Sequence, residues 1–150
     1  MSNLCDEVDI PVVPDEFRLT YDRILELQRL SPDEWWTEGY GSFLAGPELH
    51  EFLQPSFEKP IAVRYQLISK DRPYHIDACV QTYKYNFVYE TGGPEVKTIW
   101  QTHRAFSQPP YDPFEITCKQ NTWYRLNVKV SHCVKDIESP RLSITIKEDL

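Results

Sequence analysis

Between residues 61 and 147 the chain alternates apolar with polar, or large with small, side chains in about six runs: 61–67, 76–89, 96–106, 114–120, 123–132 and 142–147. Period-two alternation sends one set of side chains to a buried face and the other to the opposite face, the signature of β-strands. The plainest run is 123–132, where Tyr124, Leu126, Val128 and Val130 oppose Arg125, Asn127 and Lys129. Leu142, Ile144 and Ile146 alternate with Ser143, Thr145 and Lys147, and Phe114, Ile116 and Cys118 alternate with Glu115, Thr117 and Lys119. In 76–89 the phase changes: Ile76, Ala78 and Val80 share one parity, and Tyr83, Tyr85, Phe87 and Tyr89 the other. A β-bulge near Gln81 or Thr82 explains the switch, as does burial on both faces. Glu90 to Glu95 contains Gly92-Gly93-Pro94 and reads as a hairpin turn, while Pro109-Pro110, Asp112-Pro113 and Ser139-Pro140 mark longer connections. Strands of uneven length with few tight hairpins predict an antiparallel Greek-key β-sandwich, Ig-like or jelly-roll-like, with a short N-terminal helical segment packed on it.

The first sixty residues follow another rhythm. Residues 1–14 are acidic and proline-bounded and read as a flexible tail, leaving 15–150 as a single β-sandwich domain. Phe17, Tyr21, Ile24, Leu25 and Gln28 recur at helical spacing, which predicts a helix over about 15–30. Ser31 as cap, Pro32 at the first helical position and Glu34 three residues beyond the cap predict a second at about 32–37. A third is expected at about 47–53, opened by Pro47.

Composition sharpens this picture in two ways. The 150 residues include 4 Trp, 9 Tyr and 7 Phe, enough bulk for a core that needs neither disulfide nor metal. The net charge of −7 is uneven: residues 1–60 hold 13 acids against 4 bases, and residues 61–150 hold 10 acids against 12 bases. Overall acidity counts against a general nucleic-acid binder. Either the acidic segment folds against the basic strand positions Arg64, Lys84, Lys119, Arg125, Lys129 and Lys147, or each region meets a partner of opposite charge. The expected location is intracellular, cytoplasmic or nuclear: no leader, no membrane-spanning apolar run and no paired Cys-x-x-Cys stands in the sequence.

Candidate chemistry is sparse. His50, His75, His103 and His132 form no His-x-His or His-Glu-x-x-His pattern. Cys79, Cys118, Cys133 and His132 lack the knuckle spacing of structural zinc sites. No Gly-x-Ser-x-Gly elbow occurs, and the neighbours Ser131, His132 and Cys133 diverge along a strand. Catalytic, metal and cofactor roles are therefore not expected. The aromatic residues supply the functional expectation, a non-catalytic intracellular module that binds another protein, with no membrane role. Trp35, Trp36, Tyr40, Tyr83, Tyr85, Trp100 and Arg104 would form its surface, and Gly92, Gly93 and Glu95 a loop at its rim. One alternative is a β-sandwich that binds a small ligand or carbohydrate in a pocket lined by Tyr83, Tyr85 and Trp100. Another is a single-stranded nucleic-acid-binding domain using Lys84, Arg104, Lys119, Arg125 and Lys129 beside those aromatics.

Overall fold

A computed structural model of the chain describes residues 4–31, 35–101 and 113–150. Its elements run β1 (Cys5–Glu7), α1 (Tyr21–Leu30), β2 (Trp35–Thr37), β3 (Tyr40–Leu44), α2 (Pro47–Leu53), β4 (Ile61–Ile68), β5 (Arg72–His75), β6 (Tyr83–Glu90), β7 (Lys97–Trp100), β8 (Phe114–Ile116), β9 (Thr122–Asn127), β10 (His132–Lys135) and β11 (Arg141–Glu148). Among the described residues these strands form two antiparallel sheets. The larger has seven strands in the order β1-β9-β6-β11-β4-β3-β2, the smaller four in the order β5-β10-β7-β8. The chain is mainly β, with few helices.

The larger sheet is covered on both faces. Ile61, Val63, Tyr65 and Leu67 of β4, Leu142, Ile144 and Ile146 of β11, and Phe87 and Trp123 share one core cluster with Ile10, Val13, Ile24, Leu49 and Leu53. Ile10, Val13, Ile24, Leu49 and Leu53 therefore cover the outer face of that sheet, and each large side chain buried there contributes about 1.5–3 kcal/mol. The alternate positions point the other way, toward the smaller sheet, and they too are buried: Gln66, Asn86, Arg141, Ser143 and Thr145 are each 7% exposed or less. The period-two reading thus picks the apolar face correctly. What it takes for a solvated face is an interior lined with polar groups.

Several boundaries differ from the sequence expectation, each for a local reason. The long run 76–89 is not one bulged strand. His75 ends β5 in the small sheet, residues 76–82 cross over, and β6 starts in the large sheet. The run 123–132 divides in the same way, with β9 ending at Asn127 and His132 opening β10 in the other sheet. Glu90 to Glu95 carries the chain from β6 to β7, again between sheets, so it is not a hairpin. Gly92 at its centre has φ +88° and packs so closely on Ser139 that a Cβ would sit 3.0 Å from that carbonyl oxygen. Its own carbonyl accepts from the backbone amides of Glu138 and Ser139.

At the N-terminus, residues 5–7, expected within a tail, pair as β1 with β9. The expected helix at 15–30 is a 3-10 turn at Asp15–Phe17 followed by α1, because Thr20 caps the helix with its hydroxyl accepting from the Arg23 amide at 3.2 Å. Of the expected 32–37 helix, residues 32–34 lie outside the described residues, and Trp35–Thr37 is a strand paired with β3. The 47–53 helix is present as α2.

Candidate functional site

The polar inner face of the large sheet meets the small sheet across a cavity of about 380 Å³. Its wall draws Gln66, Lys84, Asn86, Arg141 and Lys147 from the large sheet and Arg72, His75, Thr98 and His132 from the small one, with Asp77 on the crossover between them. That volume lies within the range of small-molecule sites.

Three side chains converge on one wall. His75 on β5 and His132 on β10 are direct cross-strand partners, which brings their rings to 4.5 Å between centroids. Asp77 follows His75 by two residues, so an extended backbone returns its side chain to the same side. Asp77 Oδ1 lies 3.4 Å from Nε2 of each histidine. In both rings Nδ1 stands 2.8 Å from a backbone carbonyl two residues earlier, Pro73 for His75 and Val130 for His132. A carbonyl only accepts, so each Nδ1 carries a proton and donates it, which leaves each Nε2, turned toward the carboxylate, with a lone pair in the neutral ring and an N–H in the imidazolium. Lone pairs facing an anion repel unless a cation lies among them. Protons on the two Nε2 atoms meet that need in one state, and a metal ion meets it in another. The three donor atoms lie within 4.8 Å of one another, the one such group among the described residues. Donors 3.4 Å apart match neighbouring ligands at about 2.0–2.2 Å from a shared ion.

The surrounding charges fit this arrangement. Burial opposes ionisation of Asp77, but hydrogen bonds from His132 and His75 when those rings carry protons at Nε2, together with the nearby Lys84 charge, outweigh it and hold the carboxyl well below the usual carboxylate range. Lys84 Nζ is 3.5 Å from Asp77 Oδ2. At another part of the wall, Arg141 is 4% exposed, and among the described residues its guanidinium donates to Thr98 Oγ1 at 3.5 Å and Cys118 Sγ at 3.1 Å. Among the described residues no carboxylate pairs with it. A buried guanidinium without a counter-anion is expensive, which makes Arg141 a candidate contact for an anion.

The residues singled out from sequence scatter. Tyr40 lines the cavity, with the Arg72 guanidinium 4.1 Å above its ring. Trp100 is wholly buried beside His132 and donates from Nε1 to the Asn127 carbonyl at 2.9 Å, so it supports the wall from behind. Tyr83 lies under Arg125, Tyr85 packs edge-on against Phe57, and neither lines the cavity. Trp36 is half-buried and stacks on Phe43; Trp35 pairs along the backbone with Ser42. Arg104 lies outside the described residues. Gly92 is buried at a sheet crossing, Gly93 is half-buried and Glu95 is exposed, all away from the cavity. Of the four zinc candidates, only Cys79 and His132 line the cavity, and Cys118 accepts from Arg141. His-x-Asp at 75–77 is the signal that sequence reading passed over: two metal-ligand types, two positions apart, on an extended segment.

No family model and no curated protein sequence matches the chain. Solved structures do. Oxalate decarboxylase from Bacillus subtilis at pH 4.6 superposes with a TM-score of 0.52 at 13% identity, covering 80% of this chain and 28% of that one. A structure addressing the substrate-binding mode and reaction-specificity switch of oxalate decarboxylase gives the same TM-score, 0.52, and also 13% identity over 80% of this chain and 28% of that chain. Another, concerned with the Mn(II) centres of the Bacillus subtilis enzyme, gives 0.50 at 13% identity over 77% and 27%. The chain shares a two-sheet β fold with these proteins. It spans little more than a quarter of their length.

This fold and the His75–Asp77–His132 cluster overturn two expectations drawn from sequence. A non-catalytic protein-binding adaptor accounts for neither a polar interior cavity nor a metal-ligand set inside it, and the expectation that the chain is no enzyme falls on the same observation. The small-ligand alternative fits better, although its pocket is built from Tyr40, histidines and cations in place of Tyr83, Tyr85 and Trp100. No helix among the described residues is long and apolar enough to cross a membrane.

Proposed function

We propose that this chain is a jelly-roll domain of the cupin kind, holding a divalent first-row metal ion at His75, Asp77 and His132, and acting on a small organic acid in the space between its sheets. The strand order supports the Greek-key, jelly-roll form over the Ig-like one: β6, β11 and β4 are neighbours although distant in sequence. The observation that carries the reading is the pair of Nε2 lone pairs fixed by their Nδ1 hydrogen bonds and converging with Asp77 on one point. Two histidines and one carboxylate with open positions favour a non-haem Fe(II)-type centre, while Mn(II) is the ion named for the fold's solved relatives. When bound, such an ion supplies Lewis-acid polarisation or redox chemistry at its open positions.

The protein side chains divide the remaining work. Lys84 neutralises the outer oxygen of Asp77 and orients it. Arg141 holds the carboxylate of the substrate or co-substrate, as an Arg fork does best. Trp100, Leu126 and Val128 form the apolar part of the enclosure and keep bulk water out. Of the aromatics prominent in the sequence, Tyr40 is the one proposed to touch ligand. The oxalate named in the solved relatives is itself a small organic anion, in keeping with a cavity that offers Arg72, Lys84, Lys147 and Arg141.

Equilibrium dialysis of the full chain with Mn(II) or, without oxygen, Fe(II), followed by Mn(II) EPR, tests the centre. One ion per chain is expected, with binding weakened more than about 100-fold in His132→Ala and in Asp77→Ala. A wild-type chain that takes up no ion, or variants that bind as tightly as wild type, would sink the reading.

A further inference from the structure

We infer that the acid taken up by the cavity is a dicarboxylate, with one carboxylate on Arg141 and the other on Arg72. The inference rests on the reading of Arg141 as a carboxylate contact and adds a second anchor to it. Arg72 on β5 lines the cavity, and its guanidinium lies over the Tyr40 ring, 4.1 Å from the centroid. Stacking uses the flat face of a guanidinium and leaves the N–H groups at its rim available to an anion. Among the described residues no carboxylate forms an ion pair with Arg72. Arg141 stands in the same position, a cavity residue whose partners are the Thr98 hydroxyl and the Cys118 sulfur. A ligand with a single acid group satisfies one of these cations and leaves the other uncompensated.

The two sheets bring both guanidiniums to one end of the cavity. Tyr40, Ile68 and Arg141 are direct cross-strand partners on β3, β4 and β11. Neighbouring strands stand about 4.8 Å apart, so the backbones of Tyr40, which lies beneath Arg72, and Arg141 are about 10 Å apart with Ile68 between them. The small sheet repeats the arrangement from the other side. Arg72, Val134 and Thr98 are partners across β5, β10 and β7, and Thr98 is the residue Arg141 reaches. The floor is fixed by hydrogen bonds: the Ser143 hydroxyl donates to Gln66 Oε1 at 3.1 Å, and Gln66 Nε2 donates to the Tyr40 hydroxyl at 3.3 Å. Ile68 and Val134 line the cavity and share one apolar cluster. An apolar patch between two cations suits a short hydrocarbon chain with an acid at each end. Val134 follows His132 by two residues on β10, so this clamp stands beside the histidine pair.

The test compares acids of equal length that differ by one carboxylate: succinate against butyrate and glutarate against valerate, titrated calorimetrically into the full-length chain with and without Mn(II). The metal-free series decides, because chelation by the second carboxylate plays no part in it. At least a tenfold preference for the diacid is expected from one more charge-assisted pair. In Arg72→Gln the preference should fall to within about twofold of unity while butyrate affinity persists, and that binding itself shows the variant is folded. Lys135→Gln removes a positive charge from an exposed position near Arg72 and outside the cavity wall, and should keep the preference. Equal wild-type affinities for the paired acids, a preference that survives Arg72→Gln, or one lost equally in Lys135→Gln overturns the inference. Butyrate binding that is lost in Arg141→Gln but shows no diacid preference in wild type removes the Arg72 anchor alone. Failure of every acid to bind removes the carboxylate reading and this inference together.

Discussion

Lys129 shows how much of the site is built from residues that never touch its centre. Its ammonium donates to the backbone carbonyl of Asp77 at 2.9 Å and to that of Cys79, and the Asp77 amide donates to the Val128 carbonyl at 3.0 Å. The crossover that carries Asp77 is thereby tied to the end of β9. Lys129→Met should weaken Mn(II) binding about 10- to 100-fold, the usual effect of losing a residue that orients a ligand. The same dialysis reads it out, with the melting temperature as a control for folding. At this scale the sequence was legible only in part. His75 and Asp77 are two apart and openly metal-like, but their partner His132 reads as the end of an alternating run, not the start of a new strand. Only the pairing of β5 with β10 shows that His75 and His132 stand side by side. Arg141 and Asn86 look like ordinary outward polar positions, since alternation states that two faces differ and not what covers each.

The elements were easier to read than their ends. All the alternating runs contain strands, and α2 falls where Pro47 predicts it. The misplaced ends share a cause: in 76–89 and 123–132 the chain changes sheet without a Gly-Pro signal, and period-two patterning continues across the change. The phase switch near Gln81 marks such a crossing. The N-terminal elements are held to the sheet by two buried tyrosines. The Tyr65 hydroxyl donates to the Phe17 carbonyl at 2.8 Å and the Tyr89 hydroxyl to the Leu19 carbonyl at 2.7 Å. Burial pushes the Tyr65 phenol up to about 12, and burial, with lesser contributions from Tyr65 and Glu90, raises Tyr89 further. Unfolded tyrosine ionises near pH 10, so the folded chain keeps these protons where the unfolded chain loses them. Their stabilisation is complete below about pH 10 and declines as pH rises through the folded values. Thermal melts from pH 7 to 12 should show a steep alkaline loss that is blunted in the Tyr65→Phe, Tyr89→Phe double variant. At neutral pH that variant should be less stable by about 1 kcal/mol for each bond lost.

Across the whole molecule, the main apolar core and the candidate site lie on opposite faces of the seven-stranded sheet. Leu53 is fully buried in the cluster that fills the outer face. Leu53→Ala should cost about 2–5 kcal/mol by chemical denaturation, yet leave Mn(II) stoichiometry at one per folded chain. A fall in stoichiometry among folded molecules would mean the two faces are coupled. The charge asymmetry of the sequence resolves in part within the chain: Asp6 pairs with Arg125 and Glu7 with Lys119, each at 3.1 Å, along the β1–β9 edge. Exposed pairs of this kind contribute little on their own. They do align the acidic arm with a basic strand, the self-neutralising arrangement that composition allows.

The buried polar row along β4, β6 and β11 has one more consequence. If the cavity takes the ligand proposed for it, replacing a side chain there would alter the guest admitted while the greasy ballast beneath stays untouched. Such a frame can be refitted for another cargo by a few interior exchanges, without first being made sturdier.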